Sequence, residues 1–160
     1  MGTLSIKKEK DCKIALWETT ESLEKLNQLT SYIATPKFNT EKRKKEWLSS
    51  RLLLNEVNPK YSISYNEFGS PKLNNEHNIS ISHSKGLVAI IISQKKVGID
   101  IEEISEKSLK ASSKFISEDN IKNLTADKAT LIWCCKEAIF KWHEKGRIDF
   151  INDIKIHPFE

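Results

Sequence analysis

No stretch of this chain approaches the roughly 18 consecutive apolar residues that a membrane-spanning helix needs. The N-terminus also lacks the basic start and the apolar run of about seven or more residues of a signal peptide. The expectation is a soluble, unprocessed protein with no membrane partner. Cysteine is scarce as well. Cys12, Cys134 and Cys135 are odd in number and the adjacent pair is badly placed for an ordinary disulfide, which excludes an extracellular disulfide framework and fits a reducing cytoplasm. The cysteines lack paired ligand spacing, and His77, His83, His143 and His157 form no His-x-x-x-His motif, so zinc is not indicated. There is no P-loop, no dinucleotide fingerprint and no Gly-x-Ser-x-Gly elbow, and His83 flanked by its serines is not how a hydrolase triad is built.

Charge of one sign is also in short supply. The 26 basic residues against 22 acidic ones leave a net charge of +4, less than nucleic-acid binding usually shows, and no nucleic-acid partner is expected. The excess concentrates in Lys42-Arg43-Lys44-Lys45. Such a run suits a phosphate-bearing small molecule or an acidic protein partner, and equally a solvated helix face. At 160 residues with 38% hydrophobic content, the chain can form one domain, or two small lobes sharing a core.

Residues 13–17 read as a strand, followed by a helix capped at Glu18-Thr19-Thr20 and running to about Ile33. A second helix is expected from about Thr40, where Trp47, Leu48, Leu52 and Val57 recur at helical spacing, until Asn58-Pro59 ends it. Its basic N-terminal end opposes the macrodipole at a cost of about a few tenths of a kcal/mol, easier to understand if the cations meet an anion. Residues 61–65 read as a strand and Asn66 to Pro71 as a turn. Residues 78–82, 87–93 and 97–101 read as three consecutive strands, the last two as a hairpin. Polar helical segments are expected around 108–115 and 118–124, then a long helix over 127–145 closed by Gly146, then a final strand over 150–157. The order indicates an α+β architecture.

In Gly98-Ile99-Asp100-Ile101-Glu102, strand periodicity puts both carboxylates on one face. A hard divalent cation such as magnesium would relieve their repulsion. The same acids could instead merely keep an edge strand soluble. In the long helix, Leu131, Cys135, Ala138 and Trp142 can form a buried stripe, with Glu137 and Lys141 on another face. That pair is either an ordinary i,i+4 salt bridge or a third metal carboxylate beside a lysine that handles a proton or a phosphate. Ser80-Ile81-Ser82-His83-Ser84-Lys85-Gly86 ends a strand in hydroxyls, an imidazole and a glycine, an edge suited to phosphate.

Taken in order, Asn78 to Ser84, Val97 to Glu102, and Trp133-Cys134-Cys135-Lys136-Glu137-Ala138 with Lys141 resemble the surfactin-type phosphopantetheinyl transferases of the holo-acyl-carrier-protein synthase superfamily. Glu46 to Arg51 and Gly69 to Leu73 extend the likeness more weakly. The resemblance implies one domain over 1–160 made of two similar α/β lobes, about 1–85 and 86–160, with coenzyme A in the cleft between them. It implies magnesium held by Asp100, Glu102 and Glu137, with Glu137 also a candidate base and Lys141 its catalytic neighbour. His83 and Lys141 would contact the phosphates and Ser82 the nucleotide end, and Lys136 would join the coenzyme-binding set. Arg43 and Arg51 are the preferred partners of the 3′-phosphate because a guanidinium matches its geometry.

The implied reaction moves the phosphopantetheine arm of coenzyme A to a serine of an apo acyl or peptidyl carrier protein and releases adenosine 3′,5′-bisphosphate. A descendant that only binds coenzyme A or a carrier is the alternative. Two departures stand out. The family's glycine-lysine-proline element reads Gly69-Ser70-Pro71, leaving Lys72 as the nearest lysine, and the sequence ends at Glu160 where relatives continue with further strands, so a shortened second lobe with an unpaired edge is expected.

Overall fold

The computed structural model describes residues 2–117 and 123–157. It begins with a hairpin that the sequence pattern left half hidden. β1 (Leu4–Lys8) is exposed along its whole length and pairs antiparallel with β2 (Cys12–Glu18). Only β2 shows buried positions, at Ala15 and Trp17, which is why it alone was legible. The helix expected to run to about Ile33 is the shorter α1 (Leu23–Leu29), capped by the Ser22 hydroxyl on the Lys25 amide at 3.1 Å. It stops where the Thr30 hydroxyl bonds back to the Leu26 carbonyl at 2.7 Å.

α2 (Glu41–Val57) starts where expected, with the Thr40 hydroxyl accepting from the Arg43 amide at 3.2 Å. Its Leu48, Leu52 and Leu53 are buried against the sheet, together with Trp17, Ile79, Val88, Ile90 and Ile92. β3 (Ile63–Tyr65) and β4 (Pro71–Leu73) form a short ribbon. Asn66 closes its turn by accepting from the amides of Phe68 and Ser70, and Gly69 takes a left-handed φ of 78°.

β5 (Asn78–Ser84) and β6 (Leu87–Ser93) are joined by Lys85-Gly86, both at positive φ, a two-residue hairpin turn. The four-stranded sheet has the order β1-β2-β6-β5 and is antiparallel throughout. The hairpin expected between 87–93 and 97–101 is therefore not formed: β6 has β2 on one edge and β5 on the other, so it has no edge left to offer. The division expected at 85/86 falls in the turn between two paired strands.

The C-terminal part contains α3 (Glu106–Lys110), a 3-10 turn at Ser112–Lys114 and α4 (Ala126–His143). The helical segment expected around 118–124 lies outside the described residues as far as 122. Residues 150–157 form turns and irregular chain instead of the expected strand. Asp149 draws them inward, its side chain accepting from the amides of Ile151 and Asn152 and its carbonyl from the amide of Asp153. Phe150 and Ile156 then pack on a second core of Phe115, Ile116 and Ile132. The expected α4 stripe is also displaced. Leu131 and Trp142 are about half exposed, and the inward face carries Ala129, Ile132 and Lys136. The architecture is mixed α and β. Among the described residues no helix is long and apolar enough to cross a membrane.

Candidate functional site

Residues 97–101 run alongside β5 in the same direction, yet outside the backbone ladder. The Ile99 amide donates to Ser80 Oγ at 3.1 Å and the Ile101 amide to Ser82 Oγ at 3.2 Å. The segment stays extended, so the period-two reading of its side chains survives. Asp100 and Glu102 both turn toward the serines: Ser82 Oγ donates to Asp100 Oδ1 at 2.7 Å and Ser84 Oγ to Glu102 Oε2 at 3.0 Å.

The segment also presses on α4. A Cβ at Gly98 would sit 1.9 Å from the Ala138 carbonyl oxygen, so only glycine permits this crossing. The crossing brings Lys141 within reach. Its ammonium donates to Asp100 Oδ1 at 2.6 Å and to the Ile99 carbonyl at 3.2 Å. Asp100 is only 5% exposed, and its Oδ2 is buried without a hydrogen-bond partner of ordinary geometry among the described residues. The Cys134 thiol lies beside the same carboxylate; burial, then the negative charge of Asp100, push its pKa up to about 12, so it stays protonated. Burial also raises the pKa of Glu137, with Lys141 lowering it and the charges of Asp100 and Glu102 raising it further. The helix pair expected at Glu137 and Lys141 thus gives its lysine to Asp100 instead.

Lys141 also lines a cleft of about 320 Å³ with Arg43 and Arg51 of α2, Ser70 and Pro71 of the ribbon, and His83 of β5. Arg51 is held ready: its guanidinium lies 4.0 Å from the centre of the Trp47 ring and donates to Tyr65 Oη and Ser50 Oγ, each at 3.0 Å. Burial pulls its pKa down, against the Tyr65 hydrogen bond. Burial lowers His83 most, to about 4, opposed by its hydrogen bond to the Glu46 backbone and assisted by the positive charges of Lys141, Arg51 and Arg43. His83 is therefore neutral near pH 7, with Nε2 buried and unpartnered among the described residues.

Arg43, Arg51, His83 and Lys141 are thus brought to one cleft, while Asp100, Glu102 and Glu137 gather behind Lys141. The Ser82 hydroxyl donates to Asp100. Lys72 is bound to Glu144 at 2.8 Å at the cleft rim. Lys136 points the opposite way. Only 4% exposed, it donates to the carbonyls of Phe150 and Ile154 and fastens the C-terminal chain. Sequence reasoning missed the roles of Ser80, Ser84, Tyr65 and Cys134, because hydroxyls and thiols pair across folds with no spacing rule to betray them.

Among the described residues no three His, Cys, Asp or Glu side chains converge as a ready-made metal site. The donors nonetheless fit a hard cation. Asp100 Oδ2 is buried without a hydrogen-bond partner of ordinary geometry among the described residues, Glu102 lies on the same face, and magnesium takes only one or two carboxylates beside water and phosphate.

The model of the 4′-phosphopantetheinyl transferase superfamily matches residues 96–159, the stretch that carries Asp100, Glu102, Glu137 and Lys141. Over that stretch the chain is similar to the 4′-phosphopantetheinyl transferase superfamily. A curated member, the 4′-phosphopantetheinyl transferase gsp of Aneurinibacillus migulanus, is 32% identical over 111 residues, covering 65% of this chain and 47% of that relative. The chain accordingly spans about half the length of this curated transferase. The resemblance read from three sequence blocks and the transferase match meet on the same acidic segment and helix.

Proposed function

We propose that this chain transfers the phosphopantetheine arm of coenzyme A to a serine of an apo acyl or peptidyl carrier protein, with magnesium, releasing adenosine 3′,5′-bisphosphate. The observation that carries this reading is the double position of Lys141, which lines the cleft and hydrogen-bonds Asp100. A phosphate bound in the cleft would meet the acid cluster at that ammonium.

Asp100, Glu102 and Glu137 would hold the magnesium, which when bound neutralises charge on the pyrophosphate. Arg43 and Arg51 would take the nucleotide's phosphates, Arg51 from a pose already fixed by Trp47 and Tyr65. His83 would take up a proton at its unpartnered Nε2 as a phosphate binds and donate from it to a phosphate oxygen. The carrier serine oxygen attacks the β-phosphorus, its proton passes to Glu137, and the bond from that phosphorus to the bridging oxygen breaks. Lys141 counters the charge that develops. In this reading Ser82 orients Asp100, and Lys136 serves the fold. The sheet with α1 and α2 corresponds to one lobe and the α3 to α4 part to the other.

The test is the intact mass of an apo carrier protein incubated with the full chain, coenzyme A and magnesium. A gain of one phosphopantetheine group, abolished by a chelator, is expected. No gain with several carriers, from folded protein that still binds coenzyme A by calorimetry, would overturn transfer and leave a binding protein.

A further inference from the structure

The acid pair sits on a segment without sheet hydrogen bonds of its own, so something else must set its position. Four side chains of β5 and its turn do so, the three serines at intervals of two residues. Ser80 meets the Ile99 amide, Ser82 meets both the Ile101 amide and Asp100, Ser84 meets Glu102, and Lys85 pairs with Glu103 at 2.6 Å. The register advances two residues on each side from Ser80–Ile99 to Ser82–Ile101. The hydroxyls thereby replace the main-chain groups that a neighbouring strand would supply. β5 gives its ladder hydrogen bonds to β6, and it meets this segment through its serine side chains.

Ser82 and Lys141 secure Asp100 from two sides, through the same oxygen, Oδ1. Glu102 has a different environment. Among the hydrogen bonds of the described residues its carboxylate receives the Ser84 hydroxyl alone, at Oε2. A glutamate has three rotatable bonds, and one donor on one oxygen leaves the other free and aims it. Resting on the metal reading above, we propose that Ser84 is the positioning residue of Glu102, and that the serines at 80, 82 and 84 together hold the acid pair in the spacing at which it accepts a divalent cation. Ser84 touches neither cleft-bound phosphate nor metal in this account; it acts through the carboxylate. Partners of metal ligands characteristically contribute about ten- to a hundredfold in metal affinity.

Ser84 lies at the end of β5 and is half-exposed, so Ser84→Ala removes a hydroxyl without opening a core cavity. The experiment titrates Mn²⁺, as a spectroscopic stand-in for magnesium, into the full chain and follows the free ion by electron paramagnetic resonance. No coenzyme and no turnover are involved. Ser84→Ala is expected to weaken Mn²⁺ binding about tenfold, with melting temperature unchanged, while Ser84→Thr, which keeps the donor, retains the wild-type affinity. Ser80→Ala is expected to weaken it too, by releasing the register at Ile99. If the wild type binds Mn²⁺ and Ser84→Ala binds it equally well, the positioning role is overturned while the metal reading stands. Failure of the threonine variant to recover affinity also overturns it. A wild type that does not bind Mn²⁺ overturns the metal reading and this inference together.

Discussion

The Lys141 ammonium stands 2.6 Å from Asp100 Oδ1 and 3.2 Å from the Ile99 carbonyl, so one cation joins α4 to the extended acidic segment. Asp100 is nearly buried, and a buried carboxylate deprived of its partner is costly. Lys141→Ala should destabilise the metal-free protein by about 3 kcal/mol. Magnesium should then restore more stability to the variant than it adds to the wild type, because it substitutes for the missing charge. Denaturant unfolding with and without magnesium checks both, and transfer activity should fall by about a hundredfold or more.

Gly98 is the point of closest approach between the acidic segment and α4. Gly98→Ala would place a methyl group 1.9 Å from the Ala138 oxygen, so the segment must lift away. The expected cost is about 1 to 3 kcal/mol. Activity should fall further than stability alone accounts for, since lifting residue 98 separates Asp100 from Lys141. Thermal melting and transfer rate, measured below the melting transition, distinguish the two effects.

His83 has a pKa near 4 in the folded protein against an ordinary 6.5, so it is the unfolded chain that takes up a proton between those values. Its contribution to stability is complete above about pH 6.5 and is lost as the pH falls toward 4. His83→Gln should flatten the stability profile in that window. An imidazole NMR titration should place the midpoint near 4 in the free protein and higher with coenzyme A bound, because a phosphate favours the charged ring.

Lys136 tests the difference between a coenzyme ligand and a structural cation. Its ammonium is held by the Phe150 and Ile154 carbonyls, and burial, then the charge of Lys155, hold its pKa below the ordinary lysine range, with Asp149 opposing. Lys136→Met should leave those carbonyls unsatisfied and cost about 2 kcal/mol. The KM for coenzyme A should not change. A raised KM with unaltered melting would return Lys136 to the coenzyme site.

The strands at 13–17, 78–82 and 87–93 and the helices beginning near Thr40 and Asp127 were legible because each carries a buried face, and burial imposes a period on the sequence. β1 has no buried residue and showed no period. Residues 150–157 had the apolar content of a strand, but content does not say whether a sheet edge is available, and they packed on α4 as turns. The stripe expected at Leu131 and Trp142 failed for a related reason: periodicity selects a set of helix faces, and the neighbours choose among them.

The sequence by itself determined that Asp100 and Glu102 share one side of an extended chain, that the basic run opens a helix, and that the blocks carrying His83, the acids and Glu137 with Lys141 resemble one transferase family. Those are consequences of local geometry and residue type, which need no partner. Only the tertiary structure decided that Lys141 pairs with Asp100 instead of Glu137, that Lys136 turns to the C-terminal chain, and that serine hydroxyls hold the acidic segment. Each of those depends on which surfaces meet: β2 and β5 occupy both edges of β6, and Gly98 lets the displaced segment come to rest on α4.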